Sequence, residues 1–429
     1  MARTEAMEDV YPLSPLQRGL LFHAVHSPAS GAYVEQLDST LAGPLDPALL
    51  RAAWERTVER HAVLRTSFHW EEAREPVQVV HRQVRLPWRE EDLSPRDAAQ
   101  REAHVAAFLA ADRERGFVPA RAPLMRVACF RLEPGLHRIV WTHHHLLLDG
   151  WSWPLVIRDV FAFHESLRRG AEPVLPAVRP YAEYIDWLSA QDLAPAEVHW
   201  RQALAGFTTP TPLPVPAAAA RAAPAGAGGV AGREGARRNE CERVLDAGER
   251  DALERGARAL RITPATLVHA AWALLLGGHA GLDDVVFGTV VAGRPPALRG
   301  VETMVGLFIN SVPLRVHLDP DLGVGPWLQG LHRQLAELRR FEHAPLASIQ
   351  AWSDVPRGVP LFDSLMAFEN FPRDGEFLPA GSALRLVEAR FHERVHYPLS
   401  LNAAPGREWM LRLGYDPARL DGRQADRLL

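Results

Sequence analysis

The stretch Trp141–Pro154 reads WTHHHLLLDGWSWP: three consecutive histidines and then, four residues past the last of them, an Asp-Gly pair. Imidazole has an ordinary pKa of about 6.5, which suits it to proton transfer near neutral pH. On an extended strand alternate side chains face opposite ways, so His143 and His145 share one face and His144 takes the other. Three kinds of chemistry are open to such a cluster. One neutral imidazole could act as general acid–base or hydrogen-bond catalyst. His143 and His145 could bind a metal, or buried histidines could simply bond the backbone while Asp149 caps a helix. A metal centre needs a third ligand, and none stands at a recognisable spacing. Asp149 and Gly150 fall at the turn into a helix beginning near Trp151, where free backbone N–H groups and the positive helix end favour a developing oxyanion.

The rest of the inventory narrows the reaction. No G-x-S-x-G elbow and no G-x-x-x-x-G-K-[ST] loop occurs, so neither an acyl-serine nor an ATP-dependent mechanism is supported. The chain has no lysine, which removes that nucleophile, and its two cysteines, Cys129 and Cys241, lie in unrelated contexts. Direct acyl transfer remains: an amine or hydroxyl attacks an activated acyl group while histidine orients or deprotonates it. A formal net charge of -4 provides no field for a polyanion, so nucleic acid is not an expected partner. The N-terminus lacks an apolar signal core and no long uncharged apolar run follows, so the expectation is a cytoplasmic protein without a membrane span.

The elements that must position these residues follow from the pattern. LHRIVWTHH reads as a strand. WPLVIRDVFAFHESLRRG reads as a helix with Val156, Val160, Phe163 and Leu167 on one face and Gly170 as its stop. A chain of 429 residues suits two lobes of about 200 residues. Gly206–Arg238, rich in Pro, Ala and Gly, reads as a long surface connection. An echo supports duplication: Ala52-Ala53-Trp54 followed by His61-Ala62 recurs, with the same spacing, as Ala270-Ala271-Trp272 followed by His279-Ala280. Each copy has helical spacing and leads to a strand-like run, LRTSFHW and DVVFGTV, so two similar α/β or α+β sandwich lobes are expected. The boundary is placed at 180/181, with residues 1–180 the lobe carrying the histidines and 181–429 the other.

His144-His145-Leu146-Leu147-Leu148-Asp149-Gly150 resembles the HHxxxDG signature of condensation domains of non-ribosomal peptide synthetases, within the chloramphenicol-acetyltransferase-like superfamily. YPLSPLQRGLLFH (from Tyr11), ERHAVLRTSF (from Glu59) and YAEYIDWL (from Tyr181) resemble further motifs of that family. So do MVGLFINSVPLRV (from Met304), FEHAPLASIQ and LFDSLMAFENFP, all in family order. The resemblance implies two acetyltransferase-like lobes arranged as a V-shaped pseudo-dimer, one carrying the histidines and the other completing a tunnel. It implies transfer of a donor aminoacyl or peptidyl group from one carrier-protein phosphopantetheine to the α-amine of an aminoacyl thioester on another. The chain itself would bind no cofactor and no metal. Its partners would be donor and acceptor carrier proteins and an adjacent adenylation domain of a larger synthetase, with the excised piece monomeric.

By the same resemblance His145 is the catalytic histidine, acting as base or by positioning the amine, and Gly150 allows close approach or offers a backbone donor. His144 is structural, and Asp149 holds the loop by pairing with Arg65. Asn310, Ser311 and Trp151 are candidates for lining the tunnel, although Asn310 reads equally well as a buried hydrogen-bonding residue. GTVVAGRPPALRGVETMVGLF is assigned to a bridge between the lobes. Epimerising relatives share HHxxxDG but continue VSWR where this chain has WSWP, and heterocyclising relatives replace the histidines. His23 and His26 do not form the extra motif of dual-function relatives. The alternatives are an epimerisation domain, or a superfamily acyltransferase using a soluble thioester or amine.

Overall fold

The structure, a computed structural model, describes residues 6–27, 31–71, 74–213, 239–369, 378–379, 381–406 and 409–429. Most of the Gly206–Arg238 connection lies outside them, as do Asn370, Phe371 and Pro372 at the end of the last motif. Among the described residues fourteen strands interleave with helices, the mixed α/β architecture expected. In chain order the strands are β1 (Met7–Pro12), β2 (Val34–Ala42), β3 (Thr66–His69), β4 (Val77–His81), β5 (Trp88–Asp92), β6 (Met125–Glu133) and β7 (Leu136–His144). They continue with β8 (Asn239–Leu245), β9 (Asp284–Val291), β10 (Asn310–His317), β11 (Ser364–Phe368), β12 (Arg385–His392), β13 (Leu399–Ala404) and β14 (Trp409–Tyr415).

The chain divides into two compact units. One comprises Met1–Ala190, Arg294–Phe308 and Phe371–Val395, the other Gln191–Gly293, Ile309–Asn370 and His396–Leu429. A single cut at 180/181 does not follow this packing, because hydrophobic burial ignores chain order. The helix Ala182–Ser189 packs in the first unit, where Tyr181, Tyr184 and Ile185 are buried with Tyr11, Val80 and Phe308. Strand β12 also belongs there, since it pairs with β2 from Arg385↔Ala42 to His392↔Gln36.

In the first unit β12-β2-β7-β6-β5 form one sheet and β1-β4-β3 a second, smaller one. Strand β7 is buried almost throughout because it is interior to the larger sheet. The helix Ser152–Arg169 follows it with Val156 and Val160 fully buried and stops at Gly170, whose φ of 66° is the left-handed conformation of a helix end. That helix packs on Pro47–Arg60, whose Trp54 ring lies 5.1 Å from that of Trp141. The first motif forms the helix Pro15–His26. Ser14 and Gln17 close a capping box at its start.

In the second unit the sheet order is β10-β9-β11-β13-β14-β8. The echoed segments are both helices, Pro47–Arg60 and Pro264–Ala280, each entered through a capped proline and each burying its tryptophan, Trp54 and Trp272. The strands that follow are not equivalent. β3 belongs to the three-stranded sheet, whereas β9 lies inside the six-stranded one. Among the described residues no single helix is long and apolar enough to cross a membrane. Cys129 and Cys241 are free thiols, and burial pushes them up to about 12 and about 11.

Candidate active site

Strand register decides what each histidine meets. Glu35 of β2 stands directly opposite His143 of β7, so the two side chains share a face, and His145 follows two residues on along that face. Glu35 Oε2 lies 3.1 Å from His143 Nε2 and Oε1 lies 3.2 Å from His145 Nδ1. His143 stacks on Trp141 at 4.4 Å between ring centroids. His144, on the other face, accepts the Leu146 N–H at Nδ1, 3.0 Å away, and meets the edge of Phe117. Burial holds its pKa down to about 3, so His144 is a neutral ring supporting the loop.

Hydrogen-bond logic fixes the protons. A carbonyl only accepts, so the 2.8 Å contact between His145 Nδ1 and the Leu148 carbonyl places the proton on Nδ1 and the lone pair on Nε2. The same reasoning puts a proton on His143 Nδ1, which faces the Glu35 backbone carbonyl at 3.4 Å. His143 Nε2 and Glu35 Oε2 are both buried with no other hydrogen-bonding partner among the described residues. One proton between them satisfies both atoms. It resides on Glu35, because burial, then the charges of Glu393 and Asp149, raise its carboxyl well above the usual range. Burial likewise drives His143 well below the usual imidazole range. Glu393 Oε1 stands 4.0 Å from His145 Nε2.

The atoms of Glu35, His145 and Glu393 gather within 4.8 Å. The ring presents Nδ1 to one carboxyl group and Nε2 to the other. That arrangement can hold or move a proton.

Asp149 is fully buried and does not pair with Arg65. Its Oδ1 accepts the Ser152 N–H at 2.9 Å and Arg294 Nη2–H at 3.3 Å, and its Oδ2 accepts the Phe308 N–H at 2.9 Å. Ser152 Oγ lies 2.8 Å from both Asp149 Oδ1 and the Gly306 carbonyl, and it accepts N–H bonds from Gly306 and Arg294. Arg294 also covers the Phe308 ring at 3.9 Å and donates to the Met304 carbonyl at 3.0 Å. Asp149 thus ties the histidine loop to the segment Arg294–Phe308. Gly306 is required there, since a Cβ would come within 2.1 Å of the Tyr181 ring.

Arg65 lies elsewhere because the end of Pro47–Arg60 leaves carbonyls in need of donors. It donates to the carbonyls of Val58, Glu59, His81 and Arg82 and pairs with Glu8 at 2.7 Å. Gly150 is half-buried in the turn and is not in the left-handed conformation, so the turn itself does not demand glycine. Trp151 is the half-buried residue before the helix. Asn310 and Ser311 belong to β10 of the second unit. Asn310 donates to the carbonyls of Glu342 and Ala344 and accepts from Ser311 N–H, which satisfies its amide group in a buried place.

Four contributors escaped the sequence reading: Glu35, Glu393, Arg294 and Gln17, whose Nε2 donates to the Leu146 carbonyl at 3.0 Å. For Glu35 a signal existed, a carboxylate inside the otherwise strand-like YVEQL. Arg294 and Glu393 have no local signal, since only their distant partners give them a role.

The model of the condensation-domain family matches residues 7–428. A linear gramicidin synthase polypeptide of Brevibacillus parabrevis is 43% identical over 430 residues, covering 100% of this chain and 5% of that protein. The chain therefore spans a small part of the length of the curated relatives it matches. Among solved structures, a four-domain nonribosomal peptide synthetase bound to AMP and glycine superposes with a TM-score of 0.79. It is 18% identical, over 98% of this chain and 32% of that one. The condensation domain of Monacolin K polyketide synthase gives 0.79 at 15% identity, covering 99% and 95%. These last two likenesses concern the fold.

Proposed function

The chain belongs to the condensation-domain family, whose reaction is amide-bond formation by acyl transfer, and from that premise we propose how its own residues carry the reaction. The donor acyl group arrives as a thioester on one carrier-protein phosphopantetheine, and the α-amine of an aminoacyl thioester on a second carrier attacks it. His145 Nε2 accepts a hydrogen bond from that amino group, takes the proton that frees its lone pair, and orients it toward the thioester carbonyl for attack. The carrier proteins and an adjacent adenylation domain are the proposed partners, and the cytoplasm the proposed setting.

One observation carries this reading: the Leu148 carbonyl bound to Nδ1, which leaves Nε2 as an acceptor. A thioester is already activated, so holding the amine in line supplies the larger share of the rate; good orientation is worth about 7–11 kcal/mol. Proton transfer adds roughly 10²–10⁴-fold. Gly150, beside the start of the helix Ser152–Arg169, is assigned close substrate approach, and Asp149 and His144 the support of the loop. Trp151, Asn310 and Ser311 are proposed to line the path of the substrates.

The test loads donor and acceptor carrier proteins with aminoacyl-phosphopantetheine and reads dipeptide on the acceptor by intact-protein mass spectrometry. Wild type forms the dipeptide, and His145→Ala, still folded, forms it about 10²-fold or more slowly. Acylation of a free amine from a soluble thioester, with no product on any carrier, would replace this reading with that of a soluble-substrate acyltransferase.

A further inference from the structure

The Nε2 edge of His145 faces a carboxylate across a gap. The 4.0 Å between Nε2 and Glu393 Oε1 is too long for a direct hydrogen bond. It admits one nitrogen about 2.9 Å from both atoms, which subtend roughly 90° there, so that each N–H of a tetrahedral ammonium need bend only about 10° from linear to reach its acceptor. The His145 side chain is 7% exposed and that of Glu393 18%, so the gap is largely withdrawn from bulk water, where attraction between charges is strengthened.

One residue holds both sides of the gap. Tyr33 accepts the His145 N–H through its carbonyl at 2.8 Å and donates its own N–H to the carbonyl of Arg394, next to Glu393, also at 2.8 Å. It does so at φ 66°, a left-handed conformation that a residue with a side chain adopts only under constraint. The spacing is therefore set by the backbone. Among the described residues no group hydrogen-bonds His145 Nε2. Glu35 lies behind the ring against Nδ1, and Glu393 is the acidic side chain that faces the open nitrogen.

The α-amino group, with an ordinary pKa of about 7.7–8.0, is mostly ammonium at pH 7 and must lose two protons to become an amide N–H. Resting on the condensation reading above, we propose that Glu393 and His145 Nε2 together form the receptor for the acceptor's α-ammonium group, with Glu393 selecting a charged amine over a neutral nucleophile. The ammonium donates one N–H to each. One proton then passes to Nε2, freeing the nitrogen lone pair. The C–N bond forms, the C–S bond breaks with its electron pair on sulfur, and the second proton goes to the departing thiolate. His145 returns its proton to solvent.

The experiment uses the 429-residue chain with a loaded donor carrier and alanyl-N-acetylcysteamine thioester as acceptor, and lactyl-N-acetylcysteamine thioester as a neutral competitor. Glu393→Gln raises the acceptor KM about tenfold or more, changes kcat at saturation less, and leaves the inhibition constant of the lactyl compound unaltered. Glu393→Asp recovers part of the loss. An unchanged acceptor KM in folded Glu393→Gln, or an equal loss for the alanyl and lactyl compounds, overturns the role of Glu393. Calorimetry on the wild type gives the reading without any variant: tighter binding of the alanyl compound supports the receptor, and equal binding refutes it. Absence of amide formation by the wild type itself counts against the condensation reading, and is thereby distinguished from failure of the receptor.

Discussion

His145 and Asp149 stand four residues apart and differ in what they leave open: among the described residues one keeps a ring nitrogen without a direct hydrogen bond, the other is sealed by its partners. Asp149 is wholly buried against an Arg294 side chain that is only 7% exposed. Asp149→Ala leaves that guanidinium without its carboxylate and costs about 3–5 kcal/mol of unfolding free energy, measured by denaturant titration. Glu35 allows a finer test, because a protonated carboxyl has the same donor and acceptor as an amide. Glu35→Gln keeps dipeptide formation within about threefold. Glu35→Ala, which leaves buried His143 Nε2 without a partner and removes the side chain packed behind His145, loses about tenfold or more. Equal loss in both variants would mean that Glu35 acts as an anion.

At the scale of elements, the histidine loop is held from three directions. Gln17 grips Leu146, Tyr33 grips His145, and the segment Arg294–Phe308 grips Asp149. The last of these depends on close packing at Gly306, whose missing side chain makes room for the Tyr181 ring. Gly306→Ala forces that ring or the segment to move and destabilises by about 1–3 kcal/mol, read from the denaturation midpoint. Condensation by the same variant falls as well, because the carbonyl and N–H of Gly306 are what Asp149 and Ser152 bind.

Across the whole molecule, buried neutral histidines set the response to acid. His143 and His144 in one unit and His269 in the other are held down by burial, His144 to about 3 and His269 to about 4. In the unfolded chain each takes a proton near pH 6.5, so their contribution is complete above that pH and is lost as pH falls toward 4. Each contributes a slope of up to about 1.4 kcal/mol per pH unit. Glu35 runs the other way: raised in the fold, its contribution is full below about pH 4.5 and fades as pH rises through its folded value. Glu342, pushed up to about 7 by burial, acts in the same sense as Glu35, and three histidines outweigh these two carboxyls, so unfolding free energy declines from pH 6.5 to 4. His144→Gln flattens that decline, as denaturant titrations at several pH values would show.

The motifs were legible because they are local: a strand of known period, three histidines at its end, a helix start after Asp-Gly, and family motifs in order. These determined the α/β class, the amide-forming family and the identity of His145 as the residue to test. The partners of those residues were not legible. Asp149 pairs with Arg294 rather than Arg65, and Glu35 and Glu393 flank the imidazole, because strand register and the return of β12 to β2 bring distant segments together. A sequence states which groups are present. Which carboxylate meets which nitrogen is decided by where burying apolar surface and pairing backbone strands place them.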